Sequence, residues 1–262
     1  MFTVNPFSEL SGLISPLAMQ LYVIAMILLV IGGTVLDMIH KKSAEYFFRN
    51  AEKARAEASR KVSVVKKSSI AVTTVAVDVL TSGEFCNQRR RLAHLLTMYG
   101  FILFAATTAI MIFGYIGAQT PIILPLPWHL GALMLCVGGY WFWFFIRVDV
   151  AAEGNTWYRV VRADLFILSL LATATFALVW SFMQAVGASS LSMLFFSLFI
   201  LSSTVLFGGV LWSKFAHMFF KPAAAFQKRV AKADGSRDGL PEPADKPEQF
   251  GPGIKRLLPK NY

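Results

Sequence analysis

The sequence predicts an all-α integral membrane protein. It would be a bundle of five transmembrane helices, with the N terminus outside, the C terminus in the cytoplasm and a cytoplasmic insert between helices 1 and 2. Of the 262 residues, 56% are apolar and only 15% are charged, which is too little charge for an ordinary soluble surface. Five apolar runs are long enough to cross a bilayer. All 25 Lys and Arg residues fall on one side of these runs.

The predicted spans follow from the length of the apolar runs. A helix rises about 1.5 Å per residue, so about 20 apolar residues cross a hydrocarbon core about 30 Å thick. The first run has no basic residue before it and leads directly into Lys41 and Lys42. That pattern is typical of a retained anchor and not of a cleaved signal peptide. The spans are predicted at residues 13–39, 92–118, 129–146, 165–186 and 191–214.

The positions of the basic residues predict the orientation. Residues 41–91 hold twelve of them, residues 147–162 hold three, and the chain from 214 onward holds ten. The stretches before span one, between spans two and three, and between spans four and five hold none. Lys and Arg near spans are retained on the cytoplasmic side. The net charge of +10 is therefore read as a determinant of orientation that also attracts anionic lipid, and not as a nucleic-acid surface.

The chain divides into residues 1–40 (N-terminal segment and span one), 41–91 (basic insert), 92–217 (spans two to five) and 218–262 (tail). Within the insert, residues 43–61 predict a helix because Ala, Glu, Lys and Arg predominate. The β-branched run IAVTTVAVDVL at 70–80 fits either a short strand pair or an interfacial segment. The tail from Lys221 carries six of the eleven prolines, which predicts a mostly extended segment that orders on a partner.

Cysteine usage excludes several redox centres. Cys86 and Cys136 lie far apart and form no CxxC pair. This pattern does not fit an iron–sulfur cluster, a zinc ribbon or a disulfide scaffold. Any electron transfer in this chain would therefore need another carrier.

The four histidines offer such a carrier. His40, His94 and His217 lie at the cytoplasmic ends of predicted spans, and His129 opens span three on the outer side. Haem b in a helix bundle takes one imidazole from each of two helices at matching depth. His94 on span two and His217 on span five meet that requirement and are the predicted iron ligands. The alternative is that each is an interfacial residue that only forms hydrogen bonds.

Small and basic residues lie near this pair. Glycines give a macrocycle room beside a helix, and cationic side chains can pair with haem propionates. Basic residues would also occur here for orientation alone. No second histidine pair shares a depth, so one haem is expected. The residues predicted to surround it are Gly100, Gly208, Gly209, Arg91 and Lys214.

Two stretches carry a family resemblance. RRRLAHLLTMYGF (89–101) and SKFAHMFFKPAAAFQKR (213–229) resemble the cytochrome b superfamily that includes the gamma subunit of respiratory nitrate reductase. Members of that superfamily have five spans, with ligand histidines on the second and fifth. Within it, DVLTSGEFCNQRRRLAHLLTMYGF (78–101) and FGPGIKRLLPKNY (250–262) are similar to the membrane anchor subunit of dissimilatory adenylylsulfate reductase.

The resemblance implies an electron-transfer subunit in the bacterial cytoplasmic (inner) membrane. Electrons would pass between a cytoplasmic flavin and iron–sulfur adenylylsulfate reductase, which converts sulfite and AMP to adenylylsulfate, and the membrane quinone pool. His94 and His217 match the cytoplasm-side haem pair. The deeper second pair of the nitrate-reductase relatives is replaced by non-ligands, and the iron–sulfur domain fused to related complexes is missing. Such a subunit is either non-catalytic alone or the quinone-reducing part of an oxidoreductase complex.

Quinone reduction consumes protons, so its site needs a titratable residue at the membrane edge. His40 with Lys41 is the first candidate, and His129 beside Trp128 is the second. The alternative for each is an interfacial anchor with no part in quinone chemistry, and this is the more common role of such residues. Two rival functions stay open: a haem-free membrane scaffold for a cytoplasmic enzyme, and a passive transporter of a neutral solute. Ion coupling is disfavoured because spans two to five carry no charge in their interiors.

Overall fold

The computed structural model describes residues 2–40, 43–83, 85, 87–116, 119–148, 156–210 and 217–236. Over these ranges the chain is helical and contains no strand. Helical turns of other pitch extend α4 over Thr74–Leu80 and α6 over Phe142–Ile146, and precede α7 at Arg162–Asp164. The α-helices are α1 (Pro6–Glu9), α2 (Pro16–His40), α3 (Ser43–Ala56), α4 (Val64–Thr73), α5 (Gln88–Gly114), α6 (Pro125–Trp141), α7 (Leu165–Ala185), α8 (Ser189–Gly208) and α9 (His217–Ala233).

In the described part of the chain, five helices are long and apolar enough to cross a membrane: α2, α5, α6 with its extension, α7 with its preceding turn, and α8. They match the five predicted spans. Their bounds lie within four residues of the predicted ones except at the end of span five, where α8 ends at Gly208 and residues 211–214 lie outside the described ranges. Large apolar side chains face outward on these helices, including Leu17, Leu28, Ile102, Leu130 and Leu201. An outer surface of this kind suits lipid, since water would not solvate so large an apolar area.

Glycines bring α5 and α6 into close contact. A Cβ atom on Gly100 would lie 2.8 Å from the carbonyl oxygen of Gly131, and one on Gly138 would lie 2.7 Å from the carbonyl oxygen of Ala93. Backbones can approach this closely only where side chains are absent, which is how small residues stabilise helix pairs in lipid. The Gly138 contact also places that residue of α6 at the depth of Ala93, next to His94.

The α2 helix is attached to the bundle mainly along α8. The Tyr22 hydroxyl lies 3.1 Å from the carbonyl oxygen of Ile200 and 2.9 Å from the Ser203 hydroxyl. Further along, a Cβ atom on Gly33 would lie 2.8 Å from Cβ of Val210. These two contacts fix α2 beside α8 at two levels, while much of its remaining surface is exposed.

An aromatic cluster closes the end of the bundle where α6 begins. Phe7 of the short helix α1 is buried and lies edge-on to Trp128 and Trp180, at centroid distances of 5.8 and 5.3 Å. Trp180 in turn stacks on Phe199 at 5.7 Å. Aromatic pairs of this geometry stabilise beyond the area that they bury. The opposite end of the bundle, where α5 begins, carries His94.

The insert and the tail are both more helical than the sequence suggests. The α3 helix confirms the helix predicted in residues 43–61. The run at 70–80 is helical throughout, so the strand-pair alternative is wrong. At the start of the tail, residues 217–233 form an α-helix whose Ala225 and Ala231 are buried, so this part is not extended. The rest of the tail, residues 237–262, lies outside the described residues.

Candidate functional site

The chain that leads into α5 folds back along the first turns of that helix. The Arg91 Nε donates a hydrogen bond to the carbonyl oxygen of Thr81 at 2.7 Å, and the Tyr99 hydroxyl donates to that of Leu80 at 2.6 Å. The turn is closed where the amide of Gly83 donates to the carbonyl of Val77 at 2.8 Å. Residues 80–83 are thus held against the side of α5.

Ser82, which lies in this turn, positions the side chain of His94 on α5. The Ser82 Oγ lies 3.0 Å from Nδ1 of His94, and the serine is buried while the histidine is exposed. Ser82 has φ +49°, a left-handed conformation that is uncommon for residues other than glycine. A non-glycine residue in this conformation raises the free energy of the folded chain, and such residues are often found at functional sites. The contact fixes the orientation of the His94 ring, which also lies 5.0 Å from the ring of Phe85.

The start of α9 lies at the same end of the bundle. Lys221 places its Nζ 4.6 Å from the centroid of the Phe85 ring, the ring that contacts His94. His217 is the first residue of α9, one helical turn before Lys221. The backbone at His217 and the His94 side chain are therefore brought to one region. The side chain of His217 and the whole of Lys214 lie outside what the structure describes.

An ion pair fixes α9 to the segment before α5. Arg229 donates from Nε to Oδ2 of Asp78 at 2.6 Å and from Nη2 to Oδ1 of Asp78 at 2.8 Å. Two parallel charge-assisted bonds of this kind are stronger and more directional than one. A second tie joins the end of α9 to the insert, because the amide of Arg60 donates to the carbonyl of Asp234 at 2.9 Å.

The three glycines expected to make room for a macrocycle differ in their surroundings. The contact of Gly100 with Gly131 fills the space beside it, so Gly100 has a different role and serves the packing of α5 against α6. A Cβ atom on Gly209 would lie 2.6 Å from the carbonyl of Val205 and 3.4 Å from Cδ2 of Leu165. Only Gly208 has space beside it, with Cδ1 of Leu29 at 4.0 Å.

His129 bridges α6 and α7 inside the bundle. Its Nδ1 lies 2.7 Å from the carbonyl oxygen of Pro125, so Nδ1 must carry the proton, because a carbonyl can only accept. Its Nε2 lies 2.7 Å from Oγ of Ser181 and accepts from that hydroxyl. The neighbouring Trp128 donates to Thr108 at 2.8 Å. Both candidates are fully buried and satisfied by the protein, which argues against quinone binding there.

Replacing His129 by Phe should lower the free energy of unfolding by about 1–3 kcal/mol, because two buried hydrogen bonds are lost. Thermal unfolding in detergent, followed by circular dichroism, measures the change. Ser181→Ala is the matched control: it removes one of the two bonds and should cost less. An unchanged midpoint for His129→Phe would contradict the bridging role.

The other quinone candidate is at the opposite end. His40 ends α2 and its side chain is exposed. Lys41 lies outside the described residues. Three residues before His40, Asp37 is buried within the bundle. Of the predicted quinone residues that the structure describes, His40 is thus the one that an exchangeable ligand can reach.

A buried ion pair at the end of α6 is absent from the sequence predictions. Arg147 is 0% exposed and contacts Asp164 at 2.5 Å. It also donates to the carbonyls of Thr156 and Arg159 at 2.9 and 2.6 Å, and its guanidinium lies 4.1 Å from the centroid of the Trp143 ring. Arg147 thus holds the connection between α6 and α7. In sequence it is one of three basic residues between spans three and four, and nothing there separates it from the other two.

The polar groups at the His94 end are imidazole, hydroxyl, guanidinium, ammonium and carboxylate. Within the described ranges, no three His, Cys, Asp or Glu side chains are grouped so as to hold a metal ion.

A scan against protein-family models, a search of curated proteins and a search of solved structures each found no match for this chain.

Proposed function

We propose that this chain is a haem b membrane anchor that passes electrons between a cytoplasmic adenylylsulfate reductase and the membrane quinone pool. In this proposal the His94 end of the bundle faces the cytoplasm and the N terminus lies outside. One observation carries it: Ser82 holds the ring of His94, and Phe85 joins that ring to the first turns of the helix that begins at His217.

Two imidazoles, those of His94 and His217, would be the donor set in this proposal. Haem b needs one imidazole nitrogen on each side of the iron. Nδ1 of His94 faces Ser82, so Nε2 would be the nitrogen toward iron, and Ser82 would orient the ring as outer-shell partners of ligating histidines do. His217 would supply the second imidazole. When bound, haem b supplies one-electron transfer.

The surrounding residues have secondary roles in this proposal. Arg91 anchors Thr81 through Nε and, with Lys214, would lie near the propionates. Gly208, which has space beside it, would accommodate the macrocycle better than Gly100. His40, exposed at the end of α2, would deliver a proton to the quinone together with Lys41.

Docking of the reductase would use the basic surface at the same end. Lys53 is exposed on α3, and Lys228 and Lys232 are exposed on α9. A partner with an acidic face would be steered to such a surface at a rate that falls as salt rises. The tail at 237–262 would contribute further contacts.

The direct test is a dithionite-reduced minus oxidised spectrum of the purified full-length protein. A b-type band, with about one haem per chain by pyridine haemochrome, is the expected result. Protein that is folded and monodisperse but has no band when expressed with ample haem supply would reject the haem assignment.

A haem-free membrane scaffold is the second candidate, and one observation favours it. The Asp78–Arg229 pair joins α9 to the insert without involving His94, so the surface at this end could hold a partner enzyme in the absence of iron. Co-purification of the reductase with a chain that lacks the b-type band would support the scaffold.

A further inference from the structure

An outward-facing apolar surface lies on the insert, away from the five long helices. Its side chains come from α4 and the helical extension of α4, and they are between 40% and 81% exposed. We call this surface the valine face. It consists of Val64, Val65, Val72, Val75, Val77 and Leu80.

The valine face is not a displaced part of the core, because the same segment packs through its other side. Thr74 is buried, and Asp78 pairs with Arg229 of α9. Residues 65, 72 and 75 recur at helical spacing on one side. The segment therefore has one face in contact with the protein and a second apolar face that the described chain leaves uncovered.

The end of this segment lies at the level of the first turns of α5. The carbonyl of Leu80 accepts from the hydroxyl of Tyr99, eleven residues and about 16 Å into a helix that begins at Gln88. Helical side chains lean back toward the N terminus, so Leu80 lies near the third turn. The apolar run of α5 begins at Leu92, so Leu80 lies beside the apolar part of that helix, close to where it begins.

The charges next to the valine face are all basic. Lys66 and Lys67 are exposed in the first turn of α4, and Arg60 and Lys61 precede it. No acidic residue occurs between Glu57 and Asp78, and Asp78 is occupied by Arg229. A helix with exposed lysines beside an apolar face is typical of helices that lie in the plane of an anionic membrane surface.

We propose that residues 64–80 form an in-plane membrane helix whose valine face is embedded in the headgroup–acyl boundary of the leaflet at the His94 end. Its occupant is the anionic lipid of that leaflet. The proposal does not depend on haem or on a partner enzyme. Its consequence is that lipid fixes the depth of residues 80–83, the turn that orients His94.

Spin labels on the full-length protein test this placement. Val72→Cys and Val75→Cys are made in a Cys86→Ser, Cys136→Ser background, labelled with a nitroxide, and reconstituted in phosphatidylglycerol–phosphatidylcholine vesicles. The ratio of collisions with oxygen to collisions with a water-soluble nickel chelate should be several-fold higher at both sites than at Glu57→Cys, an exposed control beyond α3. Circular dichroism and size exclusion confirm that each labelled protein is folded.

Ratios at Val72→Cys and Val75→Cys equal to that at Glu57→Cys would overturn the proposal and leave the valine face to a protein partner. The contribution of charge is tested in vesicles of phosphatidylcholine alone, where the ratio at Val72→Cys should fall. The same ratio in both lipids would overturn the assignment of anionic lipid as the occupant.

Discussion

His94→Ala is expected to abolish the b-type band of the reduced-minus-oxidised spectrum, and His217→Ala is expected to do the same. If His94 and His217 hold the iron as proposed, either variant removes one of its two imidazole ligands. The measurement is the band amplitude per mole of purified protein. Because the His94 side chain is exposed, the alanine variant should stay folded, which circular dichroism verifies.

Two further variants separate ligation from general damage. His40→Ala removes another exposed histidine at the same end and should keep the full band. Ser82→Ala should retain haem but shift its midpoint potential, because the ring loses the partner at Nδ1. A full band in folded His94→Ala protein would remove the basis of the electron-transfer proposal.

Arg147→Met is expected to lower the free energy of unfolding by about 3–5 kcal/mol, because Asp164 is left as an uncompensated charge in a largely buried position. The carbonyls of Thr156 and Arg159 lose their donor in the same step. Thermal or denaturant unfolding in detergent, followed by circular dichroism, gives the change. Arg162→Met is the matched control: it is exposed and should shift stability by about 0.5 kcal/mol or less.

A double variant distinguishes the lost charge partner from lost packing. Arg147→Met with Asp164→Leu replaces both charges by apolar groups, and buried ion pairs replaced in this way are often close to neutral. Partial recovery relative to Arg147→Met is expected, short of full recovery because the two carbonyls stay without their donor. If Arg147→Met and Arg162→Met unfold at the same temperature or denaturant concentration, the Arg147–Asp164 pair does not stabilise the α6–α7 connection.

The five long helices could be predicted because a bilayer sets a minimum length for an apolar run, and that length is visible in sequence. The contacts between residues far apart in sequence could not be predicted. Asp78 and Arg229 are 151 residues apart, and nothing local marks either as a partner of the other. Arg147 illustrates the same limit. An arginine that sets membrane orientation and an arginine in a buried ion pair look the same in sequence.

The insert and His129 show two other limits of sequence. The β-branched run at 70–80 suggests strands by propensity, but packing of its inner side on α9 overrides that weak preference. His129 at the start of a span fits a ligand, an anchor or a bridge equally well. Only the positions of Pro125 and Ser181 around its ring identify the bridge.

The Asp78–Arg229 pair also sets the order in which the protein can be completed during synthesis. A chain emerges from its N terminus, so Asp78 leaves the ribosome 151 residues ahead of the guanidinium that neutralises it. Four of the five long helices, α5 to α8, are made in that interval. The insert can therefore pair with α9 only after the last of these helices has been made, so this contact at the His94 end of the bundle forms late in synthesis.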